Sequence, residues 1–261
     1  MKKKASLDYA YAVGRVRALE NYLVARSSFL EAAEEKNFSS ALKIIFDEGQ
    51  YHQEKIEIED SGQLDVFLER EESALKDLVS SILHEEEMER IVLGADQPGR
   101  ILDLSRRRKL GFITDFLRHK IDLGNLKILC RAKYLGLTKE RWDGLYQGGG
   151  FIDVKFFYES FELSYGDIGE KIQASPYYSA WIRATDDLVE KDAFLILERE
   201  FENFLMSFLR KAKYIVFGPE PVFAYAQAKM RELQLFRFLG VGKLNQIPVE
   251  MLKQRMSETY V

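Results

Sequence analysis

A chain of 261 residues is long enough to bury roughly three quarters of its unfolded surface without disulfide or metal staples. Its 46% hydrophobic and 13% aromatic content excludes wholesale disorder. With Lys+Arg 38 against Asp+Glu 42, the net charge of -4 gives no global attraction to nucleic acid.

The lysines Lys2, Lys3 and Lys4 look like the start of a secretory leader, but Asp8, Arg15 and Arg17 interrupt any apolar run behind them. From Tyr9 the pattern is helical, and no proline occurs in the first 97 residues. Leu64, Phe67, Leu68, Leu75, Leu78, Val79, Ile82 and Leu83 keep one face, predicting a helix from about 63 to 93. Asp60 with Gln63 reads as its capping box and Gly94 as its C-cap. Residues 95–100 read as a loop, and a long helical pattern follows from Ile101 to Leu137, with a kink expected near Gly111 or Gly124. The run Arg106–Lys109 within it is the one dense basic cluster and reads as a solvated or interface face. Cys130, the single cysteine, cannot close an internal disulfide, which points to a reducing compartment; on the apolar stripe it reads as a buried small hydrophobe. Gly148, Gly149 and Gly150 make the sharpest break. Residues 151–174 are helical with a turn at Ser164 to Gly169, and Pro176 marks the boundary to a long helix over about 178–213. Gly218 to Pro221 is a rigid hinge into a last long helix, and Pro248 suits the first turn of a terminal one. Only Ile56 with Ile58, and Tyr214 to Phe217, suggest strands. The fold class is all-α, in pseudo-repeated helical bundles.

The repeat comes from two segments, YAYAVGRVRAL at Tyr9 to Leu19 and FAYAQAKMREL at Phe223 to Leu233, which agree at five of eleven positions. Three further pairs keep their type: Tyr9 with Phe223, Arg15 with Lys229, and Val16 with Met230. A weaker third copy carries Leu123, Leu126 and Cys130 on its stripe, and aligning all three superimposes Arg17, Arg131 and Arg231. Each copy is followed by a second segment ending in Tyr51, Tyr177 or Tyr260, with Leu42, Ile168 or Met251 nine residues earlier. These relations give one helical domain, 1–261, with repeat units of about 5–104, 105–215 and 216–261. A repeat unit cannot bury its apolar face alone and must pack on its siblings.

The patterns that carry catalytic chemistry are incomplete. His84 with Glu85, Glu86 and Glu87 lacks the second histidine of a zinc helix, since position 88 is methionine. None of His52, His84 or His119 has a glutamate three residues before it, as a di-iron bundle needs. Gly240-Val241-Gly242-Lys243 resembles the end of a phosphate loop, but position 237 is arginine and Leu244 replaces the magnesium-binding hydroxyl. Asp115 and His119 share a helix face, a spacing that is usually a surface contact. No catalytic residue, cofactor or metal ion is expected. No stretch approaches the roughly eighteen uncharged apolar residues of a membrane span.

Four pieces in order resemble one known family, the C subunits of archaeal and bacterial A/V-type ATPases, equivalent to the d subunit of the vacuolar enzyme. They are Tyr9 to Glu20; Asp122 to Lys133 with its Asn125-Leu126-Lys127; the Gly148 to Phe151 turn; and Gly218 to Leu252 with Ala224-Tyr225, Arg237 and Gly242-Lys243-Leu244-Asn245. The chain departs from the family in having only Asn125-Leu126 where members carry a further such segment, and in Met230 where an acid is common. The resemblance implies the family's three-lobed funnel or a shortened version of it. It also implies a non-catalytic rotor part on the cytoplasmic side of the membrane, seated on the mouth of the c-ring and receiving a shaft of subunits D and F. Neither nucleic acid nor direct lipid insertion belongs to that role. Candidate interface or repeat-anchoring residues are Arg17, Arg131, Arg231, Arg15, Lys229 and Asn125, with anchoring preferred for the arginines because repeated arginines at helix crossings often pair internally. The competing expectations are a ligand-binding helical protein and a helical scaffold unrelated to ATPases.

Overall fold

The computed structural model describes residues 9–49, 51, 58–94, 97–191 and 194–261. The lysine triplet, Asp8, His52, Ile56, Ala95 and Asp96 lie outside the described residues. Among the described residues there is no strand. The helices are α1 Ala10–Leu19, α2 Arg26–Glu34, α3 Phe38–Gly49, α4 Ser61–Leu83, α5 Glu86–Leu93, α6 Pro98–Arg107, α7 Gly111–Tyr134, α8 Lys139–Asp143, α9 Val154–Ser160, α10 Tyr165–Lys171, α11 Tyr178–Lys191, α12 Leu195–Arg210, α13 Glu220–Leu244 and α14 Val249–Arg255. Short 3-10 turns follow α1 at Glu20–Tyr22 and α12 at Lys211–Tyr214.

Several predicted boundaries hold for the predicted reasons. The Asp60 carboxylate accepts from the Gln63 backbone N–H at 2.8 Å, and the Gln63 side chain accepts from the Glu59 N–H at 2.7 Å. Gly94 is left-handed at φ 63° and closes α5. The expected helix over 63–93 is nevertheless two helices, because His84 turns left-handed (φ 53°) and α5 restarts with Glu86, Glu87 and Glu89 in its first turn, where the helix dipole favours acids. The 101–137 pattern likewise divides into α6 and α7. The break is at Lys109 (φ 58°), where the Leu110 N–H reaches back to the Ser105 carbonyl at 3.0 Å in a Schellman-type ending. Gly111 then opens α7 and Gly124 lies inside it. The 178–213 pattern becomes α11, α12 and a 3-10 turn. Tyr214 to Phe217 is no strand: Tyr214 ends that turn and Ile215 leads an extended link. Pro248 caps α14 from outside, one residue before its first turn.

The chain divides into two compact units, one made of Met1–Ala95 with Met206–Val261 and the other of Asp96–Leu205. In the first, α13 is the central element and packs against α1, α2, α3, α4 and α5. Its core holds Phe29, Ile45, Leu64, Leu68, Phe236 and Leu252, all essentially inaccessible, and each such side chain contributes about 1.5–3 kcal/mol by leaving water. Phe46, Tyr51, Phe67 and Phe236 form an aromatic cluster with centroids 5.2–5.9 Å apart, edge-to-face except for the tilted Tyr51–Phe236 pair. The Gly240–Lys243 sequence is used for packing here: a Cβ on Gly240 would come within 2.6 Å of Leu64, and one on Gly242 would overlap Leu252. Lys243 donates to the Ala33 and Glu35 carbonyls and so caps the end of α2.

In the second unit α7 is the spine, packed against α6 and α8, and α10 pairs with α11. Leu126, Leu129, Cys130, Trp142, Phe157, Ile168, Trp181 and Leu197 fill its core. Burial pushes the Cys130 thiol up to about 12, so it stays protonated at neutral pH. Arg183 ties α11 to the buried Glu200 of α12 at 2.7 Å.

Candidate functional site

Three polar clusters in this helical protein share a pattern: a basic residue, an acid three positions later on the same chain segment, and a tyrosine from another segment close by. On α13 the acid is Glu232, only 3% exposed. One of its oxygens accepts from the Tyr51 hydroxyl at 2.5 Å and from Lys229 at 2.6 Å; the other accepts from the Val24 backbone N–H at 2.6 Å. Lys229 also donates to the Tyr51 oxygen at 3.0 Å and lies 4.1 Å over its ring. Burial, then the Glu232 charge, pushes the Tyr51 hydroxyl well above its ordinary range, so it remains a donor.

On α7 the acid is Asp122, fully buried. It accepts from the backbone N–H groups of Phe151 at 2.8 Å and Ile152 at 3.1 Å, and from the Tyr177 hydroxyl at 2.7 Å. His119 places Nδ1 2.7 Å from the same Tyr177 oxygen. Tyr177 has one proton, and giving it to Asp122 makes His119 Nδ1 the donor to the phenol oxygen. Burial raises the Asp122 carboxyl above the usual carboxylate range, opposed by its three donors and by Arg118. Burial and the Asp122 charge likewise raise the Tyr177 hydroxyl.

The Gly148–Phe151 turn is shaped around this acid. A Cβ on Gly150 would overlap the Asp122 carboxylate, and Gly149 has φ 105° with Leu102 packed 2.6 Å from where its Cβ would stand. Arg118 donates to the Gly150 carbonyl at 3.1 Å and stacks 3.7 Å over Phe151; Arg106 reaches the Gly149 carbonyl at 3.3 Å. One helical turn further along α7, Asn125 grips Gln147 twice, donating to its carbonyl at 2.8 Å and accepting from its N–H at 3.0 Å.

At the end of α1 the pair is Arg17 and Glu20, at 2.7 Å and 2.9 Å to the two carboxylate oxygens. The other guanidinium nitrogen of Arg17 donates to the Ala212 carbonyl at 2.6 Å and the Ile215 carbonyl at 3.0 Å. The buried Tyr260 lies beside this pair, and burial, then the Glu20 charge, raises its hydroxyl to about 12.

Of the residues singled out from sequence, Arg17, Lys229 and Asn125 thus hold distant backbone or side chains. Arg231 binds Ser257 Oγ at 2.8 and 3.1 Å and Gln234 at 3.1 Å, tying α13 to the chain after α14. Arg131 is exposed and pairs with Glu198 at 2.6 Å, beside Lys127 at 2.9 Å. Arg15 is exposed and reaches the Tyr11 hydroxyl at 3.4 Å. Glu232, Asp122 and Arg118 were not among the candidate residues, and His119, expected in a surface contact with Asp115, meets the Tyr177 hydroxyl. The Glu232 and Asp122 carboxylates each accept from three donors, so each works as a fastener between distant segments. Among the described residues no group of three His, Cys, Asp or Glu side chains could hold a metal ion, and no helix is long and apolar enough to cross a membrane.

The profile of the ATP synthase (C/AC39) subunit family matches residues 100–255, a stretch that carries α7, the glycine turn, α13 and α14. The chain belongs to the ATP synthase (C/AC39) subunit family. Within that family it is similar to the C subunit of the V-type sodium ATPase of Enterococcus hirae, 39% identical over 64 residues, covering 24% of this chain and 20% of that protein. It is also similar to the C subunit of the A-type ATP synthase of Thermococcus kodakarensis, 26% identical over 167 residues, covering 61% of this chain and 44% of that one. The matched stretches span less than half the length of either curated relative. Within this C/AC39 family member, the three clusters fix where each helix meets the segments it carries.

Proposed function

We propose that this chain is a non-catalytic rotor component of a rotary A/V-type ATPase, joining a D–F shaft to the membrane c-ring on the cytoplasmic side. The observation that carries the reading is the family match over residues 100–255. The internal chemistry supports it. A coupling part must pass torque without yielding, and closely packed interiors deform little. Here the long helices are also fastened to distant segments by buried, fully paired carboxylates, which resist sliding in a way that apolar contacts alone do not.

The repeat units of about 5–104, 105–215 and 216–261 form part of this proposal. Each supplies a base and an acid three apart and one tyrosine: Arg17, Glu20 and Tyr51; His119, Asp122 and Tyr177; Lys229, Glu232 and Tyr260. Tyr51 of the first goes to Glu232 of the third, whereas Tyr260 is buried near the Arg17–Glu20 pair with its hydroxyl making no hydrogen bond among the described residues. The test is co-migration of the purified chain with a D–F shaft and, separately, with a detergent-solubilised c-ring. Binding to both is expected; failure to bind either partner removes the rotor reading.

A further inference from the structure

Two buried polar atoms of the second unit have no hydrogen-bond partner among the described residues: Nε1 of Trp142 on α8 and Oγ of Ser160 on α9. Both side chains are fully inaccessible. An orphaned buried donor or acceptor is costly, and native interiors leave few of them. The two lie on facing surfaces. Phe157, Ser160 and Phe161 share one side of α9 by helical spacing, and the Trp142 ring packs against that side, 5.9 Å from Phe157 and 6.4 Å from Phe161 between centroids.

The first unit supplies an internal control, because it builds the same contact from apolar residues. One constant offset along the chain takes Asp122 to Glu232, Lys133 to Lys243, Gly136 to Gln246 and Trp142 to Leu252. The local structure follows it. Gly136 and Gln246 are both left-handed, and the Leu137 and Ile247 N–H groups reach back to the Ala132 and Gly242 carbonyls, each at 2.9 Å. A second constant offset takes Phe157 to Phe29, Ser160 to Ala32 and Phe161 to Ala33. Here too the contacts repeat: Lys133 donates to the Phe161 carbonyl at 2.6 Å, and Lys243 donates to the Ala33 carbonyl. α14 packs on α2, with Leu252 and Ala32 as buried as their counterparts. The contact is therefore polar on both sides in one unit and apolar on both sides in the other. Two polar groups that appear together at one interface, and do not bond each other directly, share a small partner.

We propose that one internal water molecule bridges Trp142 Nε1 and Ser160 Oγ. The indole N–H can only donate, whereas a hydroxyl both donates and accepts, so the shared partner must accept from one and can do either with the other. Water does both, and the backbone carbonyls at the end of α9 offer it further acceptors. An ion is disfavoured, since neither group carries the charge that would offset its desolvation. The bridge pins α8 to α9, the helices on either side of the Gly148–Phe151 turn, and so closes the base of the loop whose N–H groups hold Asp122.

The test is a water-selective NMR experiment on the full chain, with Trp181 as its control. The Trp181 indole is equally buried but donates to the Tyr165 carbonyl at 3.0 Å. A cross-peak with water is expected at the Trp142 indole N–H and not at that of Trp181, and Ser160→Ala should remove most of it. Urea unfolding of Ser160→Ala, Trp142→Phe and the double variant should be non-additive, the double variant's unfolding constant falling about tenfold below the value the single changes predict together. A wild-type Trp142 without the cross-peak overturns the assignment, and that spectrum decides even where a variant fails to fold. A cross-peak that Ser160→Ala leaves unchanged overturns it as well. Additive unfolding effects also overturn it, in favour of a Ser160 hydroxyl turned to a carbonyl of its own helix.

Discussion

The clusters around Glu232 and Asp122 use the same parts to opposite ends. Both acids are buried on a long helix, both receive a tyrosine hydroxyl, and both hold backbone N–H groups. Around Asp122 the partners lie within one contiguous stretch, the glycine turn and Tyr177 following α7 in sequence. Around Glu232 they come from a stretch some two hundred residues earlier, Val24 and Tyr51, and the fourth member is Lys229 in place of a histidine. The comparison teaches that one helical device can either close a local turn or splice the two ends of a polypeptide. Its energetic weight depends on how many charges it strands when broken.

That contrast can be broken first at its heaviest point. Glu232→Ala removes the counter-charge of Lys229 together with the acceptor of Tyr51 and Val24, and should cost about 3–5 kcal/mol in chemical denaturation; a loss near zero would mean that the cluster is ornamental. Next, Gly150→Ala drives a methyl into the Asp122 carboxylate and should destabilise by about 1–3 kcal/mol. Because this change is confined to the contiguous stretch, amide-exchange protection should drop in α7 and the glycine turn more than in α13, and a uniform drop would count against the separation drawn here.

The third test uses pH. The Asp122 carboxyl is held above its unfolded value by burial, so the folded chain binds that proton more tightly than the unfolded chain does. Stability from this group is therefore complete below the ordinary aspartate range and falls as pH rises through the raised value. Urea unfolding of the wild type against Asp122→Asn should show the wild type's advantage growing from neutral toward acid pH. An advantage that shrinks toward acid would mean that the donors outweigh burial. The smallest effect is expected at Arg131→Ala, which breaks an exposed pair to Glu198 that Lys127 still serves, and should cost under about 1 kcal/mol.

Much of the fold was legible. The caps at Asp60 and Gly94, the apolar stripes of α4, α7 and α13, and the three tyrosines Tyr51, Tyr177 and Tyr260 could all be read from spacing. Two helix breaks could not, because His84 and Lys109 adopt left-handed backbone without the glycine that usually announces it. The two copies can be laid on one another in two registers that differ by two residues. Identity aligned Arg17 with Arg231, whereas the ion pairs match Arg17 with Lys229 and Glu20 with Glu232. Burial agrees with the ion pairs: Ala12, Val13 and Val16 correspond to Ala224, Tyr225 and Ala228, all buried. The shared Ala-Tyr-Ala letters drew the alignment to residues that face different surroundings. Met251 misled in the same way, being exposed while its neighbour Leu252 fills the core. Asp122 entered only as the first residue of the Asp122 to Lys133 segment, because helical spacing alone does not show which position meets the glycine turn. The usable signal was the glycine turn, whose buried N–H groups need an acceptor once no phosphate loop is present.

The binding of Val24 and Tyr51 by Glu232 also sets an order of assembly. The stretch from Asp96 to Leu205 is contiguous and can condense as soon as it leaves the ribosome, whereas Val24 and Tyr51 meet Glu232 only once α13 has been made. During translation the early helices would thus wait for α13 while the middle of the chain matures.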